Sequence, residues 1–403
     1  MKKDAILIYI WCRAEAHFYL RFQEAAQALG FKIFFITDKY SCYRYLRKGL
    51  TFNNEVFYIT KSEKPSLNYP DFSRDIECKL GTFSGSELKE TYRNSMMFLE
   101  NLPKKEIKYI FMWNGYRIID HALEDYASLN KMKTLFFELA NINGKMFIDP
   151  LGTNARSLLH KKPDILNTYK VDELAFKEWK KSYVNEKLKQ STVRQAKHTP
   201  LKIAACDYFL DAYGRFIKKG GCPIELPFNR LYKRFFKTNF DVKDLDLEEL
   251  DYIFFPLQVS NDTQIVLNAN CSLLQAVDKA VKKAEKKGCF LVIKPHPAEK
   301  NPTYIKDLLA LTGSYDKVVF SFENTFRLMK YANEVITINS TVGLESLILG
   351  RPTTIIGKAF YERFDYSDIE KYIMGYLFDV DYWGTVSISS RTLQAIMGRA
   401  DLQ

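Results

Sequence analysis

Three stretches in the C-terminal half of the chain carry side chains suited to holding a phosphate. Lys294-Pro295-His296-Pro297 sets an ammonium and an imidazole among two prolines, whose fixed φ stiffens the loop and presents both groups outward. Asn339-Ser340-Thr341-Val342-Gly343-Leu344-Glu345 offers hydroxyls and, at the start of a helix, backbone N–H groups with no intrahelical acceptor. Gly343 permits close approach there, and Glu345, one turn in, is placed to accept hydrogen bonds from a ribose. The segment from Gln258 to Gln264 clusters polar groups around the carboxylate of Asp262. In the N-terminal half, Glu138 ends the strand-like run Thr134–Phe137, with Asn141 just beyond. A carboxylate so placed is expected to face a cleft, where burial raises its pKa. Each pattern has an ordinary counterpart: a rigid turn, an N-cap, a connecting loop, a helix-initiating acid. Two phosphate-suited loops, each following a strand, favour a site over these counterparts.

Two further patterns weigh less. Asp244-Leu245-Asp246 mimics a metal-binding acid pair but sits inside an acidic helical stretch, so no metal site is expected. Residues 229–240, read as a helix, place Leu231, Tyr232, Phe235 and Phe236 on one face and Arg230, Lys233, Arg234 and Lys237 on the other. That is the pattern of a short element lying on anionic lipid, with a core helix bearing solvated lysines as the equal alternative.

The elements that must position these residues alternate along the chain. Ala5–Ile10 is a continuous apolar run suited to a central parallel strand. A helix over Ala14–Leu29 ends at Gly30, and strands are expected at Phe31–Thr37, Glu55–Thr60, Tyr109–Trp113 and Thr134–Glu138. Glu87–Leu102 reads as an amphipathic helix, and another helix runs to about Asn130. The alternation resumes with strands at Tyr252–Phe255, Phe290–Lys294, Lys317–Phe320, Glu334–Ile338 and Thr353–Ile356. Between them, Ser272–Lys287 and Thr341–Leu349 read as helices closed by Gly288 and Gly350. Two such halves predict α/β architecture with two Rossmann-like domains facing across a cleft, ligands lying beyond the strand C-termini. The expected boundaries are residues 1–160, a basic helical excursion and linker over 161–250, and a nucleotide-sugar-binding domain over 251–403.

Composition narrows the function classes. At 403 residues and 47% hydrophobic content the chain suits two cores, and disorder is not the default. Its seven cysteines are odd in number and scattered without a C-x-x-C pair, against a disulfide framework or zinc site and for a reducing compartment. The start resembles a signal peptide only briefly: Arg13 and Glu15 follow the apolar run with no small-residue cleavage site, so Asp4–Ile10 reads as a first strand. No apolar run reaches spanning length. Net charge is +11 and no nucleic-acid module is recognisable, which leaves anionic ligands or a membrane surface and argues against nucleic acid.

Together these motifs resemble the capsule polysaccharide biosynthesis family, which includes KpsS and KpsC, bacterial β-Kdo transferases. The stretches that carry the resemblance are FMWNGYR (111–117), FFELANINGKMFIDPLGTNARSLL (136–159), FPLQVSNDTQI (255–265), IKPHP (293–297) and NSTVGLESLILGRPTTIIGKAFY (339–361). The single-module length and the second of these stretches look more like KpsS than the two-module KpsC. The resemblance implies a GT-B-like retaining glycosyltransferase that moves Kdo from CMP-Kdo to a phosphatidylglycerol-type lipid, starting the oligo-Kdo linker of a capsular polysaccharide. It implies that His296 and Ser340/Thr341 match positions holding the CMP phosphate; the same loops add Lys294, Gln258, Asn339 and Glu345 to the expected donor site. Asp262 matches the acid proposed as nucleophile and Glu138 the facing acid/base position. CMP is itself an activated leaving group, so no metal cofactor is required. The implied setting is the cytoplasmic face of the inner membrane, held peripherally on anionic lipid, beside a KpsC-like transferase and the capsule export machinery. Another CMP- or CDP-activated donor, or a non-catalytic role in capsule assembly, is the alternative.

Overall fold

The computed structural model describes residues 3–62, 68–140, 142–189, 200–223, 240 and 246–402. Asn141, the basic stripe 230–237, Asp244 and Leu245 lie outside the described residues. Two compact units divide the chain: Met1–Lys162, Lys197–Glu225 and Leu377–Gln403 form the first, and Pro163–Ala196 and Leu226–Tyr376 the second.

Six strands make the first sheet: β1 (Asp4–Tyr9), β2 (Phe31–Thr37), β3 (Glu55–Tyr58), β4 (Ile107–Trp113), β5 (Lys133–Leu139) and β6 (Met146–Asp149), in the order β3-β2-β1-β4-β5-β6. All neighbours are parallel except β6, which runs antiparallel to β5 at the edge. The main helices in chain order up to residue 216 are α1 (Arg13–Leu20), α2 (Gln23–Ala28), α3 (Tyr40–Gly49), α4 (Gly85–Glu100), α5 (Ile118–Asn130), α6 (Glu173–Lys189) and α7 (Leu201–Phe216). Of these α6 belongs to the second unit. The continuous apolar run of β1 is explained by burial on both faces. Ala5, Leu7 and Tyr9 join a core with Leu88 of α4 and Tyr126 of α5, while Ile6 and Ile8 join one with Phe18 of α1. Burying each such aliphatic side chain contributes roughly 1.5–3 kcal/mol.

The helix expected over Ala14–Leu29 is broken in two at Arg21 and Phe22. The Arg21 guanidinium leaves the helix to donate to the carbonyls of Val386 and Asp381, both at 2.6 Å. Those acceptors lie in the returning C-terminal segment, which differs from the expected boundary at residue 251. Residues from Leu377 onward pack with the first unit. Their helix, Ser390–Arg399, places Leu393, Ile396 and Met397 in the core of the first sheet, and Arg399 donates to the carbonyl of Ile148 in β6 at 3.2 Å. The stretch 161–250 is likewise no separate body: α6 joins the second unit and α7 the first.

The second sheet is parallel throughout. Its strands β7 (Tyr252–Pro256), β8 (Phe290–Lys294), β9 (Val318–Phe320), β10 (Glu334–Thr337) and β11 (Thr353–Ile355) take the order β11-β10-β7-β8-β9. Its helices continue as α8 (Thr263–Asn268), α9 (Leu273–Lys287), α10 (Pro302–Thr312), α11 (Thr325–Tyr331), α12 (Thr341–Leu349) and α13 (Tyr366–Lys371); the C-terminal helix Ser390–Arg399 is α14. Local signals were accurate here. Ser272 and Gln275 form a capping box at the start of α9, and Gly288 closes it at φ 72°. Because β7 is flanked by β8 on one side and β10 on the other, the chain reverses direction across the sheet between β7 and β10. That reversal is the crevice where open α/β sheets take ligands.

Candidate functional site

The loops after β7, β8 and β10 are brought side by side by the strand order. Across the β7/β10 reversal, Gln258 Nε2 donates to Asn339 Oδ1 at 3.2 Å, and Asn339 Nδ2 donates to the carbonyl of Gln264 at 2.8 Å. Gln258 and Asn339 are both buried. The Gln258 amide bonded to Asn339, and the Asn339 amide bonded to the Gln264 carbonyl, fix the separation of the loops carrying Asp262 and Ser340. They act as positioning residues inside the expected donor set.

On the β8 side, His296 is half-buried and its Nδ1 accepts from the backbone N–H of Ala298 at 3.1 Å. An accepting Nδ1 leaves the proton of the neutral ring on Nε2, which is then a donor. Burial holds the ring's pKa below its ordinary value, opposed by the charges of Asp262 and Glu299. The Asp262 field thus reaches the His296 ring. Asp262 is the N-cap of α8: Oδ1 accepts from the N–H of Gln264 at 2.8 Å. Glu299, absent from the sequence-derived set, shapes the same edge. Its carboxylate accepts from the N–H groups of Ser260 (2.5 Å), Lys300 (2.8 Å) and Asn301 (2.8 Å). A Glu two residues beyond a His-Pro pair was the available signal.

Lys294 departs from the expectation of an outward ammonium. Its Nζ turns back to the carbonyl of Glu323 (2.6 Å) and Thr325 Oγ1 (2.9 Å), because a partly buried ammonium needs acceptors. Burial lowers its pKa, with Glu323 opposing. Lys294 therefore braces the turn into α11.

Ser340 caps α12, its hydroxyl accepting from the N–H of Val342 at 3.2 Å, and exposed Thr341 begins the helix. Gly343 is required for a different reason than ligand approach. A Cβ there would lie 2.6 Å from Tyr361 Oη and 2.8 Å from Thr337 Cγ2. Tyr361 is buried and donates to the carbonyl of Ser340, so it supports the cap from beneath. Glu345 departs from its expected exposure as a ribose acceptor. It is buried, and its Oε1 accepts from Tyr183 Oη (3.0 Å) and Lys187 Nζ (2.8 Å) of α6. The sequence signal for this pair, Tyr and Lys one turn apart on a basic helix, carried no pointer to its partner.

Glu138 lies in the first unit, within β5 rather than beyond its end, paired with Phe147 of β6. A buried carboxyl with a raised pKa in the first unit is Glu15, in the first turn of α1 at the other reversal point, between β1 and β4. Burial pushes it up to about 7, opposed by the Trp11 N–H, which donates to Oε2 at 2.9 Å, and by the Arg117 charge. The Arg117 guanidinium stacks 4.0 Å from the Trp11 ring centroid and pairs with Glu77 Oε1 at 3.2 Å. Sequence reading passed over Glu15 because one acid in an amphipathic helix resembles a solvated residue. Among the described residues, no group of three or more His, Cys, Asp or Glu side chains is arranged to hold a metal ion.

A family model described as "Capsule polysaccharide biosynthesis protein" matches residues 146–367, more than half of the chain and all three loops of the second unit's edge. Protein FixF of Sinorhizobium fredii is 31% identical over 163 residues, covering 40% of this chain and 37% of that protein. The capsule polysaccharide export protein KpsS of Escherichia coli is 29% identical over 127 residues, covering 29% of this chain and 33% of that protein. The chain thus spans about a third of the length of the curated relatives it matches. Among solved structures, Thermosulfurimonas dismutans KpsC, β-Kdo 2,7 transferase, aligns at 15% identity over 99% of both chains with a TM-score of 0.46. The β-Kdo 2,4 transferase of the same KpsC aligns at 14% identity over 75% of this chain and 95% of that one, TM-score 0.40.

Proposed function

Since the chain belongs to the capsule polysaccharide biosynthesis protein family, we propose that it is a glycosyltransferase whose donor, CMP-Kdo, binds the carboxyl edge of the second sheet. The observation that supports this reading is the Gln258–Asn339 pair at the β7/β10 reversal, which ties the loop carrying Asp262 to the loop carrying Ser340, with His296 on the loop after the neighbouring β8. His296 Nε2–H and the N-terminus of α12 are donors of the kind that stabilise a departing phosphate. Asp262 keeps one oxygen on the Gln264 N–H, which orients the other. In the reaction that oxygen bonds to the anomeric carbon as the carbon–oxygen bond to CMP breaks and its electron pair leaves with the phosphate. The acceptor hydroxyl of a phosphatidylglycerol-type lipid, losing its proton to Glu138, then displaces Asp262, so configuration is retained. The product starts a Kdo linker on lipid, in keeping with a peripheral protein working beside other capsule-assembly proteins.

Intact-protein mass spectrometry with CMP-Kdo tests this directly. Glu138→Gln should accumulate one Kdo adduct, and Asp262→Asn should show none while still binding CMP by calorimetry. Near-normal turnover by Asp262→Asn would remove it as the nucleophile, and absence of CMP binding by the unaltered protein would remove the donor assignment.

A further inference from the structure

α7 is amphipathic in the opposite sense to an ordinary surface helix. Its polar face is turned toward the first unit. Asp207 pairs with Arg13, Asp211 Oδ1 accepts from the N–H of Ser41 at 2.8 Å, and Arg215 donates to the carbonyl of Gly220 at 2.6 Å. Gly214, on the same side, lets Tyr40 of α3 approach the helix. At 100° per residue, Phe209, Tyr213 and Phe216 fall within roughly 60° of arc on the opposite side, Tyr213 at its edge with its ring 5.5 Å from that of Tyr40. Phe209 is 72% exposed, Phe216 76%, and Ile217, just past the helix end, 64%. Helices that bury one face ordinarily bury the apolar one, so the outward face of α7 is, among the described residues, an unpartnered apolar surface of the kind that marks an interaction site.

Charge decides what it meets. Lys202, Lys218 and Lys219 are exposed at the two ends of the apolar stripe, and Arg44, Arg47 and Lys48 are exposed on α3, which packs beside α7. Both acids of α7, Asp207 and Asp211, are turned inward and engaged. Rings and aliphatic groups flanked by lysine and arginine suit the interface of an anionic bilayer, where apolar groups enter the acyl boundary and cations stay among the headgroups. A second copy docked face to face would set the same cations against one another.

We infer that the outward face of α7, with the basic residues of α3 beside it, docks this protein on an anionic lipid surface. The face belongs to the first unit and the donor edge to the second, so the inference stands whether or not the donor is CMP-Kdo. It deepens the lipid-acceptor reading only by naming where the chain meets the membrane.

Cosedimentation of the full chain with vesicles tests it, comparing phosphatidylglycerol in phosphatidylcholine with phosphatidylcholine alone. The expected result is binding to the first composition only. Phe209→Ser with Phe216→Ser should weaken it about tenfold or more, and Lys202→Glu, Lys218→Glu and Lys219→Glu together should abolish it at low salt. Thermal unfolding and CMP calorimetry should stay unchanged in both variants, since these side chains face solvent. Equal vesicle binding by either variant would overturn the proposal. So would concentration-dependent self-association in sedimentation velocity that the Phe variant removes, because the face would then be an interface between copies.

Discussion

Replacing Glu15 with Gln should stabilise the protein more in mildly basic than in mildly acid solution. The folded carboxyl has its pKa pushed up to about 7 from an ordinary 4.5, chiefly by burial. Between those values the native state holds a proton that the unfolded chain releases. Wild-type stability is therefore greatest below the unfolded value and falls as pH rises, levelling off once Glu15 ionises above its folded value. The whole window corresponds to about 3 kcal/mol, of which about 2 kcal/mol falls between about pH 5.5 and about pH 8. Gln does not titrate and keeps an Oε1 for the Trp11 N–H. The stability difference between variant and wild type should accordingly widen by about 2 kcal/mol over that range. Urea unfolding followed by tryptophan fluorescence reads this out, because Trp11, Trp113 and Trp383 all lie in the first unit. Other titrating groups cancel in the difference. Parallel stability–pH curves for the two proteins would refute the reasoning and show that the Glu15 carboxyl is hydrated or paired.

Two perturbations test the second unit's edge. His296→Ala removes the Nε2–H donor and should weaken CMP binding about tenfold by calorimetry; because burial holds the ring below its ordinary pKa, wild-type affinity should stay flat as pH falls to that ordinary value and rise only below it, and affinity unchanged by the substitution would take His296 out of the site. Gly343→Ala should cost about 1–3 kcal/mol through its clash with Tyr361 and Thr337, with Tyr361→Phe partly relieving it; an unaltered thermal midpoint would show that Tyr361 does not brace the Ser340 cap.

Much of the architecture was legible in short-range patterns. The apolar runs at Ala5–Ile10 and Phe290–Lys294 became buried strands because a chain buried on both faces has no polar alternation to show. Ser272, Gly288 and Gly350 marked helix ends because caps are interactions between residues three or four apart. His296 and Ser340 were found beyond strand ends by the same local reading. What the sequence left open depended on contacts between residues far apart in the chain. Gln258 and Asn339, 81 residues apart, meet only because β10 lies beside β7. Arg399 reaches Ile148 across 251 residues, drawing the C-terminal segment into the first unit. Glu345 is claimed by α6, Lys294 turns inward, and α7 keeps its apolar face outside. Residue type and spacing fix which local structures are cheap, but the partner of a charge and the side of a helix that is buried depend on which distant surface folding brings against it.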